Sequence, residues 1–149
     1  MGVTVRISRA ALHAIQREMQ ISGVEECCGL LLADPGSPPD RIDAIWPATN
    51  VAADRRTRFE IDPATLIRAH RAERHGLHRI IGCYHSHPGG NALPSAVDAS
   101  QAQPNGWLWL ICTGQPWTAT LWRAVEDGSL HGRFDAAEYA SDFRAENGP

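Results

Sequence analysis

His78-Arg79-Ile80-Ile81-Gly82-Cys83-Tyr84-His85-Ser86-His87-Pro88 is the stretch whose reading decides the fold. Its β-branched residues and few charges predict a short buried strand. Side chains alternate faces along a strand, so Ile81, Cys83, His85 and His87 point the same way if the strand persists to its end. Pro88-Gly89-Gly90 then stops it. Downstream, Pro94-Ser95-Ala96-Val97-Asp98 has the pattern of a helix start, with Ser95 and Asp98 three apart and on one face. Folding that helix end over the strand end brings Asp98 to the two histidines. Two imidazoles and one carboxylate leave a fourth tetrahedral position open, which is the catalytic rather than the structural arrangement for zinc. Taken singly, a His-x-His pair is commonplace and Ser95-x-x-Asp98 is a capping box. The conjunction carries the weight.

The spacing His85-Ser86-His87, seven residues, Ser95, two residues, Asp98 resembles the JAMM (MPN+) metalloprotease signature. That family supplies one more element, an upstream glutamate. Glu25-Glu26-Cys27-Cys28-Gly29-Leu30-Leu31-Leu32 resembles the short bacterial form, and on that alignment Glu26 is the catalytic residue. Strand alternation alone does not choose, because Glu25 and Glu26 face opposite sides. The stretch from Asn50 through Phe59 to Asp62-Pro63 also resembles the bacterial branch. The resemblance covers roughly Val3 to Trp122. It implies an α/β protein of the MPN fold, a cytidine-deaminase-like architecture with a mixed, largely antiparallel sheet flanked by helices.

Length and composition bound the alternatives. At 149 residues the chain reads as one domain over residues 1–134, followed by a polar, acidic tail or helix over 135–149. A hydrophobic fraction of 43% is enough for a core without staples. The net charge of −3 gives no electrostatic footprint for nucleic acid. All 14 basic residues are Arg and none is Lys, which reads as codon bias in a GC-rich genome ahead of the alternative, an enzyme of lysine-linked conjugates that avoids its own modification. The four cysteines lie in apolar strand-like runs without a Cys-x-x-Cys pair, as expected of buried thiols in a reducing compartment. No apolar run reaches membrane-spanning length and the N-terminus lacks a signal-peptide core, so a cytoplasmic location away from membranes is expected.

Around the central stretch, Val3 to Ile7 alternates as a first strand. Ser8 caps a helix to about Ile21, with Ala11, Leu12, Ile15 and Met19 as its apolar stripe. A strand follows Glu26 to Ala33, and Arg41 to Trp46 reads as its antiparallel neighbour. Asn50 to Arg58 reads as a solvated loop, or as a patch for an acidic partner or a C-terminal carboxylate. Phe59 to Ile61 is a short strand, and Asp62-Pro63 opens a helix to about His75. Trp107 to Cys112 and Trp117 to Trp122 form a hairpin, and Ser129 to Phe134 is a last edge strand. His70, His75 and His78 have no ligand spacing.

The chemistry implied by the resemblance is amide or isopeptide hydrolysis. Zn2+ is held by His85, His87 and Asp98, Glu26 moves the proton, and Ser95 Oγ donates to the developing oxyanion. Ser86, between the histidines, faces away as a structural residue. The family further implies a ubiquitin-like or sulfur-carrier protein ending in Gly-Gly as the partner, since a side-chain-free tail fits a narrow channel. The short loops leave no room for the insertions with which eukaryotic deubiquitinases grip ubiquitin. Zincin, deaminase and serine-hydrolase motifs are absent. A cysteine protease using Cys27, Cys28 or Cys83 stays open but leaves Ser95 and Asp98 unexplained. The remaining alternatives are a metallopeptidase for small peptides and a non-catalytic MPN scaffold.

Overall fold

The computed structural model describes residues 4–38, 40–114 and 116–142. Val3, where the first strand is expected to begin, and residues 143–149 of the expected tail lie outside the described residues. The element order is β1 (Val5–Ser8), α1 (Arg9–Ser22), β2 (Cys28–Ala33), β3 (Arg41–Ile42), β4 (Ala44–Ala48), α2 (Pro63–Arg74), β5 (Arg79–Ser86), α3 (Ala96–Gln101), β6 (Leu108–Thr113), β7 (Thr118–Gly128), β8 (Gly132–Ala137) and β9 (Tyr139–Asp142). This is the α/β architecture expected. One six-stranded sheet runs β4-β2-β5-β6-β7-β8, with β5 and β6 its parallel pair and all other neighbours antiparallel.

Local signals place the helices. Ser8 Oγ accepts the Ala11 N–H, and Asp62 accepts the Thr65 N–H with Pro63 in the first turn. Gly23, at φ 63°, ends α1 in a conformation that side chains disfavour. Ala11, Ile15 and Met19 are buried, as the stripe requires. With Leu31, Tyr84, Leu110 and Cys112 they form the core on one face of the large sheet. On the other face, Cys28, Cys83, Trp109 and Phe134 pack with Ala99 and Ala102, and Leu30, Leu32 and Ile80 pack with Leu66 and Ala69 of α2. Alternation along β6 sends Leu108 and Leu110 to the first face and Trp109 to the second.

Four expectations are corrected. First, Ile81 does not share a face with Cys83 and His85. The register between β2 and β5 skips Ile81, and the bulge turns its side chain to the opposite face. Second, the run from Arg41 divides between two sheets. Asp43 forms the corner: its carboxylate accepts from the Asp34 N–H, Ser37 Oγ and Arg41 Nε at 2.6–2.7 Å. β3 joins β1 in a small parallel sheet, and only β4 pairs with β2. Third, Phe59 to Ile61 is no strand, because only an isolated bridge links Asn50 and Ile61. Fourth, residues 135–142 are neither helix nor frayed tail. They complete β8 and form β9, which pairs in parallel with β1 and is fixed by the Tyr139 hydroxyl donating to Ala119 O at 2.9 Å.

Candidate active site

Strand β5 enters the site from a position buried on both faces, and its carboxyl end stays in the ladder past the last paired residue. The Ser86 N–H donates to Cys27 O at 3.1 Å, and the His87 N–H donates to Cys112 O at 2.8 Å. Both imidazoles are therefore mounted on held backbone. His85 has no exposed surface and stacks on Phe59 with centroids 4.3 Å apart, while Trp109 meets its edge at 5.8 Å. His87 Nδ1 lies 2.8 Å from Asn91 O. A carbonyl only accepts, so Nδ1 carries the hydrogen and a neutral His87 offers a lone pair at Nε2.

The carboxylate arrives on α3. Ser95 Oγ accepts the Asp98 N–H at 3.0 Å, and Asp98 Oδ2 accepts the Ser95 N–H at 2.9 Å, a reciprocal capping box. The same Oδ2 lies 3.2 Å from Nε2 of both His85 and His87, and those two nitrogens are 3.0 Å apart. Ligand atoms around a tetrahedral zinc ion stand about 3.3 Å from one another, from metal–ligand distances near 2 Å. With neutral rings, at most one hydrogen serves three electron-rich atoms here. The donor set therefore fits a divalent cation. Burial pushes the Asp98 carboxyl up, but its contacts with His85 and His87 and the N–H of Ser95 outweigh it and hold the group well below the usual carboxylate range. Burial also lowers His85. It opposes protonation of His87 too, yet the contacts to Asp98 and the Asn91 carbonyl raise that group overall.

Glu26 stands beside this triangle. One carboxylate oxygen lies within 4.8 Å of the His85 and His87 nitrogens. Its residue is 5% exposed, and Oε1 is buried with no hydrogen-bond partner among the described residues. Burial, with the charges of Asp98 and Asp54 and against that of His87, pushes its pKa up to about 7. Glu25 faces outward and pairs with Arg55 at 3.2 Å. Glu26 could also be a ligand in place of Asp98. Asp98 Oδ2, at 3.2 Å, is in contact with both nitrogens. A groove of about 420 Å³, lined by Glu18, Ser22, Glu26, Asn50 and Arg55 among others, opens on the Glu26 side.

The structure thus brings together Glu26, His85, His87, Ser95 and Asp98, the five residues singled out from sequence. Ser86 faces away from the imidazoles and accepts the Cys27 N–H at 2.9 Å, which ties the Glu26 segment to β5. The thiols are unsuited to attack. All four are free and buried, and burial pushes Cys27 up to about 11 and Cys28 up to about 12, so the thiolate is scarce. Sequence reasoning missed Asn91, and it named Phe59 and Asn50 only within a resembling stretch, without a role at the site. Asn91 acts through its backbone carbonyl, which leaves no signal in the residue type. Phe59 reads as any core aromatic, and Asn50 as any loop-opening Asn.

Comparisons with known proteins bear on the family and the fold. A family model described as prokaryotic homologs of the JAB domain matches residues 8–125, which include all five residues. A desampylase of Haloferax volcanii is 35% identical over 106 residues, 67% of this chain and 75% of the relative. A probable TtuB-protein conjugate cleaving protease of Thermus thermophilus is 40% identical over 63 residues, 42% of each chain. Among solved structures, a Desulfitobacterium hafniense protein superposes with TM-score 0.78 at 21% identity over 93% of both chains. A JAB1/MPN domain protein of Archaeoglobus fulgidus superposes with TM-score 0.56 at 20% identity, over 93% of this chain and 100% of that one. These two share the fold.

Proposed function

This chain belongs to the family of prokaryotic homologues of the JAB domain, and from that premise we propose that it is a zinc-dependent peptidase or isopeptidase. Its substrate on this reading is an amide bond at the C-terminus of a ubiquitin-like or sulfur-carrier protein ending in Gly-Gly. The observation that carries the proposal is the approach of His85, His87 and Asp98 to within 3.0–3.2 Å of one another, with the Glu26 carboxylate alongside. The two relatives, one named a desampylase and one a conjugate cleaving protease, support the substrate class.

His85, His87 and Asp98 would hold the ion. Zinc bound there supplies Lewis acidity toward water and toward the scissile carbonyl. Glu26 accepts a proton from the attacking water and returns it to the leaving amine. Ser95 uses an oxygen lone pair for the Asp98 N–H, which leaves its hydroxyl hydrogen for the developing oxyanion. Four free buried thiols support a reducing compartment, and no helix among the described residues is long and apolar enough to cross a membrane.

The test is metal analysis of the purified protein, then assay of a carrier fused through Gly-Gly to a lysine side chain, beside short peptides. We expect near-stoichiometric zinc and cleavage of the fusion that a chelator abolishes. Equal turnover of both substrates would remove the carrier specificity. Absence of both zinc and cleavage would leave a scaffold.

A further inference from the structure

Asn50 makes four hydrogen bonds through one side-chain amide. Oδ1 accepts the N–H groups of Ala52 at 3.0 Å and Glu60 at 3.1 Å. Nδ2 donates to Arg58 O at 3.1 Å and to Glu26 O at 3.0 Å. Two N–H neighbours and two carbonyl neighbours allow only one orientation of the amide. Two donors and two lone pairs are the whole capacity of the group. Three of the bonds close the loop between Asn50 and Ile61, whose ends also meet through the Val51 N–H donating to Glu60 O at 2.9 Å. The fourth leaves the loop and holds the peptide plane that follows Glu26.

The rest of that loop grips the same residue and its neighbours. The Glu26 N–H donates to Arg55 O at 2.7 Å. The Arg55 side chain pairs with Glu25, and Phe59 stacks on His85. On the other side, Ser86 Oγ accepts the N–H of Cys27. Glu26 precedes β2 and has no strand ladder of its own, so these bonds are what orient it. Its carboxylate has no partner at Oε1, so the side chain is placed by its backbone and by packing.

We propose that Asn50 is a positioning residue that sets where the Glu26 carboxylate stands relative to His85 and His87, by locking the Asn50–Ile61 loop to the Glu26 peptide. The role rests on the function proposed for Glu26, and it assigns to a loop amide a place in the reaction that no ligand or proton carrier occupies. A carboxylate in its place keeps both accepted bonds and loses both donated ones. It also sets a negative charge against the Glu26 carbonyl.

The test is Asn50→Asp, studied in two ways. The first is a crystal structure of the zinc-loaded variant. We expect His85, His87 and Asp98 unmoved and the Glu26 side chain displaced or split between rotamers. The second is steady-state kinetics on the carrier fusion with zinc affinity measured by chelator competition. Misplacing a proton carrier by about an ångström lowers turnover roughly ten- to hundredfold, so kcat should fall by that factor. KM and zinc affinity should hold. Glu26 unmoved in the crystal would overturn the proposal whatever the kinetics. Zinc affinity falling in step with kcat would also overturn it, by making Asn50 a support of the metal site. Glu26 displaced with kcat unchanged would leave the positioning standing and refute the role given to Glu26 itself.

Discussion

At the scale of single residues, two carboxylates beside the same pair of imidazoles are given opposite tasks by their partners. Asp98 accepts the Ser95 N–H, faces two imidazoles and stays ionised, whereas Glu26 is buried with an unpartnered oxygen. Asp98→Ala should therefore reduce bound zinc to background in metal analysis. Glu26→Gln should keep zinc and lose turnover by roughly 10²–10⁴-fold, the usual contribution of a general base. An active, zinc-replete Glu26→Gln enzyme would show that another group moves the proton. Glu26 also gives a pH signature in the metal-free chain. A carboxyl whose pKa rises from 4.5 to about 7 on folding stabilises the fold below 4.5, and that contribution is lost as pH rises through 7. Metal-free Glu26→Gln should match the parent's Tm near pH 4.5 and exceed it near pH 8. The gap should correspond to about 1–2 kcal/mol once solvent screening of a partly hydrated carboxylate is allowed for. A gap that does not change with pH would mean that Glu26 does not titrate in that window.

At the scale of elements, α3 and β5 are each constrained by one small residue. The six residues of α3 are too few to stand alone, and the capping box both starts the helix and aims Asp98. Ser95→Ala should cost about 1 kcal/mol in denaturant unfolding of the metal-free chain. Calorimetric titration should show weaker zinc binding as well, because Asp98 loses a bond that orients it; unchanged affinity would confine Ser95 to the helix. In β5, a Cβ at Gly82 would lie 2.0 Å from Leu108 O of the parallel neighbour β6. Gly82→Ala must push those strands apart just before the histidines. A destabilisation of about 3 kcal/mol or more is expected. A variant with parental stability would mean that β6 moves freely, against the burial of Leu108 and Leu110.

At the scale of the molecule, the three hydrophobic clusters draw on α1, α2 and both sheets, and an ion held by His85, His87 and Asp98 would join only the β5 end to α3. The metal-free chain should therefore stay folded and unfold cooperatively. Zinc at a hundredfold over its Kd should add about 2.7 kcal/mol by mass action, a Tm rise of several degrees. Loss of the cooperative transition on chelation, followed by circular dichroism, would mean that the metal nucleates the fold. The sequence by itself determined what neighbours in the chain dictate: the caps at Ser8, Asp62 and Ser95, the stripe of α1, the β6–β7 hairpin and the spacing of His85, His87 and Asp98. Those features depend on the periods of helix and strand and on hydrogen bonds across three residues. Only the tertiary structure decided that Ile81 bulges out, that the run at Asp43 splits between sheets, and that residues as polar as Tyr139 to Asp142 pair with β1. Only it turned Glu26 inward and Glu25 outward by geometry, and only it closed Asn50 on the Glu26 carbonyl. Each of these rests on a bond between distant positions, such as the Cys27 N–H to Ser86 across 59 residues, and no local pattern encodes a partner that far away.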